Sequence, residues 1–90
     1  MRMRTDQEWI RLREELAALE HERWAKWQEY LHSVAQANTD GSLEIPSELV
    51  RRWERQINTA YADLTEDEKN SDREQVDAYL PLIKEFIAQD

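Results

Sequence analysis

Lys69 and Arg73 stand one helical turn apart in the stretch YADLTEDEKNSDREQ, which runs from Tyr61 to Gln75, and Asp72 lies between them. Two cations at i and i+4 beside a helix N-terminus make a workable site for a phosphate or other oxyanion. The unpaired N–H groups of the first turn point at the same ligand. Asp72 is placed to orient a neighbour of Arg73, to cap another helix, or to accept from a ligand hydroxyl. The same spacing serves a plainer purpose. Lys69 and Arg73 can pair with Glu or Asp from neighbouring helices while their stems cover apolar groups. The spacing leaves both readings open.

A second constellation is HERWAKW, His21 to Trp27. Trp24 and Trp27 share one side of a helix, and His21 lies one turn before Trp24. Each Trp suits core packing. Trp24 also suits the wall of a cleft, stacked on a planar ligand. A zinc-protease motif fails, because the second His of HExxH would have to stand where Ala25 does. His21 and His32 are the only two His, so no metal site is expected. Ser33, Ser42, Ser47 and Ser71 lack an elbow or SxxK setting. One Gly rules out a Gly-rich phosphate loop. Neither catalysis nor a cofactor is expected.

Composition limits the partners. Net charge is −8, with 36% of residues charged. An acidic surface repels phosphate backbones and anionic lipids, so neither nucleic acid nor membrane is expected as partner. The apolar runs are too short to span a bilayer. Met1 to Arg4 is basic, but no apolar stretch follows, so no signal peptide is expected. Without Cys there are no disulfides, and a cytoplasmic protein is the simpler expectation.

The elements that must position these residues are helices. Ninety residues, one Gly, two Pro and no alternating β-branched runs predict a single all-α domain over 1–90, without strands. A long N-terminal helix should pack against two or three shorter ones, with residues 1–5 frayed. Thr5 and Glu8 have capping-box spacing. Trp9, Leu12, Leu16, Leu19, Trp24, Trp27, Leu31 and Val34 then recur near 3.6 residues. The first helix is therefore expected over 6–37, straight rather than coiled-coil, because a strict heptad places Arg23 on the seam. NTDGSLEIPS is a loop, with Leu43 and Ile45 tucked beneath it. Helix two carries Leu49, Val50, Trp53 and Ile57 on one face and ends near Asn58. Thr65 and Glu68 form a second capping-box pair, starting helix three at Thr65 or Glu66. Val76, Tyr79, Leu80, Ile83, Phe86 and Ile87 read as its apolar face. Pro81 predicts a kink or break.

Stepping back by 3.6 from Val76, that face passes Asp72 or Arg73, then Lys69. These charges are thus expected to point towards the interior. Glu66, Asp67 and Asn70 are expected to face solvent.

His21, Glu22 and Trp24, followed by Tyr61, Leu64, Glu68, Lys69, Asp72 and Arg73, resemble the two motifs of the ryanodine-receptor repeat domain. With the DGSLEIP loop and the RRWERQI helix, the pattern is similar to small stand-alone proteins of bacteria and their phages. The resemblance covers roughly residues 17–84 and departs in lacking a second tandem repeat and the usual loop after the first helix. It implies a compact helical domain that binds a nucleotide-like anion, such as an ADP-ribose derivative or cyclic nucleotide signal in phage–bacterium conflict. Trp24 would stack on the base, Lys69 and Arg73 would hold phosphate, His21 and Tyr61 would hydrogen-bond, and Trp53 would wall the site. A homodimer would supply the missing half, an expectation from symmetry. The competing expectation is an interaction module that dimerises through the long first helix, using Trp9, Ile10, Leu12 and Leu16, with no small-molecule ligand.

Overall fold

The computed structural model describes residues 3–89. Its elements in order are α1 (Asp6–Val34), β1 (Gln36–Ala37), β2 (Leu43–Glu44), α2 (Ser47–Ile57), a 3-10 turn (Tyr61–Asp63) and α3 (Glu66–Ala88). The architecture is all-α, with a long first helix packed against shorter ones.

Helix α1 starts where its cap allows. The Thr5 hydroxyl accepts from the Glu8 N–H at 3.2 Å, and Asp6 and Glu8 place negative charge at the positive end of the dipole. Twenty-nine residues without Gly or Pro then run uninterrupted. The helix stops at Val34, three residues short of the sequence expectation. Gln36 and Ala37 leave it to pair with Glu44 and Leu43 in an antiparallel ribbon. The absence of strands was therefore too strict an expectation. Gly41, at φ +89°, turns this ribbon, a left-handed conformation that other residues adopt with strain. The Asp40 carboxylate accepts from the Ser42 N–H at 2.9 Å and from its hydroxyl at 2.6 Å. Leu43 and Ile45 do not tuck under the loop; both are exposed.

The main packing joins α1 to α3. Leu12, Leu16 and Leu19 of α1 are half-buried, as are Tyr79, Leu82 and Phe86 of α3. The Trp9 and Phe86 rings meet at 4.7 Å between centroids. The Tyr79 hydroxyl donates to the Glu20 carboxylate, which Arg23 also holds. Arg23, then Tyr79, keep that carboxyl at about 2, well below its ordinary range. Of the segment expected to fray, Met1 and Arg2 lie outside the described residues. Arg4 is tied down: its guanidinium donates to the carbonyls of Phe86 and Ile87, and sits 5.0 Å from the Phe86 ring centroid. It thereby satisfies carbonyls that the last turn of α3 leaves without helical partners.

Pro81 does not break α3, which continues to Ala88. Its ring nitrogen has no hydrogen to offer the Asp77 carbonyl one turn back. The six apolar residues of α3 do not form one face. Tyr79 and Phe86, joined by Leu82, which the sequence pattern left out, turn towards α1. Val76, Leu80, Ile83 and Ile87 form a second row about 100° round the helix, and all four are exposed.

Helix α2 is joined to the rest by few contacts. Trp53 meets Trp27 edge-on at 5.5 Å, and Arg55 and Gln56 both donate to Glu68 at the start of α3. The whole is a thin slab of 56 × 35 × 16 Å, and none of its described residues is fully buried.

Candidate functional site

The start of α3 is fixed by a complete capping box. Thr65 accepts from the Glu68 N–H at 3.2 Å, and the Glu68 carboxylate accepts from the Thr65 N–H at 3.0 Å. The other oxygen of Glu68 takes Arg55 at 2.6 Å and the Gln56 amide. One carboxylate thus closes the cap and clasps α2 to α3. Arg55 first, then the Thr65 N–H and Gln56, hold its pKa down at about 2.

One turn later, Lys69 and Arg73 converge on a single carboxylate, that of Glu66. Lys69 Nζ lies 3.7 Å from Glu66 Oε1. Arg73 Nη1 lies 3.1 Å from Glu66 Oε2 and donates to Asn70 Oδ1 at 2.7 Å. Arg73, then Lys69, lower the pKa of Glu66. The partner comes from the same helix, not from a neighbouring one. Glu66 and Asn70, expected to be plain solvent-facing residues, are the groups that hold the cations. Arg73 does not face the interior: its side chain is 47% exposed. Lys69 is more covered, at 18%, because its ammonium lies over the Tyr61 ring, 5.8 Å from the centroid. Asp72 is exposed and makes no hydrogen bond or ion pair among the described residues. It borders, with Tyr61, Arg73, Val76 and Asp77, a hollow of about 350 Å³.

The seven expected site residues therefore fall in three places. Tyr61, Lys69, Asp72 and Arg73 gather at the start of α3. His21 and Trp24 stack on each other at 6.1 Å. Trp24, half-exposed, borders a shallow depression with Gln28 and His32. Neither His21 nor Trp24 lines the hollow beside Arg73. Trp53 belongs to a third place, a cleft of about 510 Å³ between α1, α2 and α3.

That cleft has walls the sequence reading did not assemble. Trp27 and Tyr30 of α1, whose rings lie 5.6 Å apart, line it together with Trp53, whose ring meets Trp27 edge-on. Arg23, Lys26 and Arg52 bring three cations to its rim, with Asp72 as the one acidic residue. Arg23 is held by Glu20. Lys26 and Arg52 have no ion pair among the described residues. A local signal was present: in Lys26-Trp27 and again in Arg52-Trp53 a cation immediately precedes a Trp. Only the crossing of α2 over α1 brings those two dipeptides together.

Aromatic faces and free cations in one cleft can hold a planar anion, the rings by stacking and the cations by charge-assisted hydrogen bonds. Among the described residues, no group of three or more His, Cys, Asp or Glu is arranged to hold a metal ion. No described helix is long and apolar enough to cross a membrane.

Compared with known proteins, the chain matches no family model, no curated protein and no solved structure.

Proposed function

We propose that the chain is a non-catalytic helical binding module, acting in the cytoplasm, for a small nucleotide-like anion held in the cleft between α1, α2 and α3. The observation that supports this reading most directly is the pair Lys26 and Arg52. They border the same aromatic-walled cleft and have no ion pair among the described residues. An acidic chain of net charge −8 has many carboxylates to spare for them. Two cations kept apart from those carboxylates at the rim of an aromatic cleft favour an anion from outside. The ring of the ligand would stack against Trp53 or Trp27, and its phosphate would meet Lys26 and Arg52. In this reading Trp53 and Asp72 keep the ligand-side place expected of them. Tyr61, Lys69 and Arg73 act one step away, by fixing the start of α3 that carries Asp72. His21 and Trp24 take no part.

The test is calorimetric titration of the purified chain with ADP-ribose, cyclic ADP-ribose, ATP and cyclic dinucleotides, followed by Trp fluorescence. Binding that disappears in a Lys26→Ala, Arg52→Ala double variant and persists in Trp24→Ala is expected. Absence of heat with every one of these ligands at millimolar concentration would sink the proposal.

A second reading is a protein-interaction module with no small-molecule ligand. It is favoured by the accessible surface of 7509 Å², against about 5,500 Å² for a folded monomer of this mass.

A further inference from the structure

The exposed row on α3 has a spacing that ordinary surface hydrophobics lack. Val76, Leu80, Ile83 and Ile87 follow one another at intervals of four, three and four residues. That is the d-a-d-a sequence of a coiled-coil seam. Their exposures are 51, 38, 37 and 63%, so α1 leaves the seam uncovered. Meanwhile Tyr79, Leu82 and Phe86 already supply α3 with a row facing α1. A helix with two apolar rows about 100° apart suits a bundle with a neighbour on each side, and within this chain only one side is filled.

We propose that a second copy of this chain fills the other, with the two α3 helices packed antiparallel about a two-fold axis between Leu80 and Ile83. Three observations specify that occupant. The first is area. The chain exposes about 2,000 Å² more than a compact monomer of its mass, and its radius of gyration is 18.2 Å, against about 12 Å expected. An excess of that size, spread over the whole elongated chain, leaves room for the roughly 1,000–2,500 Å² that each subunit buries in an obligate dimer, with the seam as one part of it.

The second observation is charge. In the antiparallel register that sets Leu80 against the partner's Ile83, and Val76 against the partner's Ile87, the flanking positions bring Asp77 against the partner's Lys84. The two-fold axis repeats this pair. Asp77 and Lys84 have no ion pair within the chain among the described residues. A parallel register would set Asp77 against the partner's Asp72, a like charge.

The third is shape. Val76 borders the hollow of about 350 Å³ that also holds Tyr61 and Arg73. In this register the partner's Ile87, the most exposed residue of the seam, lands beside it. Arg73 and Lys69 continue the seam towards the N-terminus, where apolar residues would lengthen it. They lie past the last turn of the partner's α3 and stay solvated, so they limit the seam to one register.

This inference does not depend on the anion cleft proposed above, which none of the four seam residues lines. The test is light scattering and sedimentation equilibrium on the full chain across a concentration series. A dimer is expected at micromolar concentration. Leu80→Glu with Ile83→Glu should give a folded monomer. Asp77→Lys and Lys84→Asp should each weaken the dimer by roughly tenfold or more, since two pairs turn repulsive. The double swap, Asp77→Lys with Lys84→Asp, should restore it, which a merely misfolded variant would not do. A wild-type chain still monomeric at about 100 μM, where a dimer of micromolar Kd would be well populated, overturns the proposal. So does a dimer indifferent to the seam variants, or single swaps that weaken it without rescue by the pair.

Discussion

Replacing Trp53 by Ala asks whether α2 is held by its own propensity or by one ring. An isolated helix of 11 residues is marginal in water, so α2 depends on what it docks against. Its attachments are the Trp53–Trp27 contact at 5.5 Å and the donation of Arg55 and Gln56 to Glu68. Trp53 is only half-buried. A Trp that buries about 100 Å² of apolar surface is worth about 2.5 kcal/mol, and an edge-on ring pair adds about 1 kcal/mol. Loss of about 3.5 kcal/mol should detach α2 while the α1–α3 pair remains. Helix α2 contributes 11 residues beside 29 in α1 and 23 in α3, so roughly one-sixth of the helical circular-dichroism signal should disappear. Hydrogen exchange should show the amides of 49–57 losing protection while those of α1 and α3 keep theirs. Full helical signal and unchanged protection in α2 would refute the claim that Trp53 is its anchor. Equal loss of protection in all three helices would also refute it, since it would make Trp53 part of one cooperative core.

Two further perturbations test the helix ends and interior. The pKa of Glu68 is lowered to about 2 from an ordinary value of 4.5, so the unfolded chain binds its proton more readily. Its contribution is then fully present above about pH 4.5 and is lost as pH falls towards about 2. The stability difference between wild type and Glu68→Gln in urea titrations should therefore be constant near neutrality and shrink through that window; a difference independent of pH contradicts the clasp. Pro81→Ala restores a backbone donor inside α3 and should raise stability by about 1–3 kcal/mol in the same titrations; an unchanged or lower midpoint would show that the proline is compensated.

The helices and their caps were legible because local chemistry sets them. Thr5 with Glu8, and Thr65 with Glu68, mark both starts in the sequence, and both hydroxyls accept the expected N–H. The ribbon was not legible, because pairing Gln36–Ala37 with Leu43–Glu44 depends on where the chain lands after Gly41. Two-residue strands carry too few side chains to show an alternating pattern. The cleft was hidden for a related reason. Lys26-Trp27 and Arg52-Trp53 are ordinary dipeptides until α2 lies across α1 and puts them at one rim.

The charged start of α3 was misread for a reason that the exposed seam explains. Phasing the helix from Val76 assumed that Val76 faces the core, yet it is half-exposed. Stepping back from it leads to Arg73 and Lys69, which are indeed in line with Val76, but that line is the outer row. The row facing α1 runs through Tyr79 instead, and one and two turns further back it passes near Gln75 and Asp72, which border the cleft between α1, α2 and α3 with Ser71. A single helical pattern of six apolar residues therefore concealed two rows with different tasks, the inner one completed by Leu82. One row closes the α1–α3 pair and continues into the cleft wall. The other begins with two cations that Glu66 partly neutralises and ends in four uncovered aliphatic residues. Periodicity alone cannot separate rows only about 100° apart, because each extra apolar residue widens the stripe without saying which edge meets a partner. Polar neighbours can separate them: Tyr79 donates to Glu20 of α1, whereas Asp77 and Lys84 beside the outer row find no ion pair among the described residues. Charges left unpaired beside an uncovered seam are what a second chain would be needed to complete.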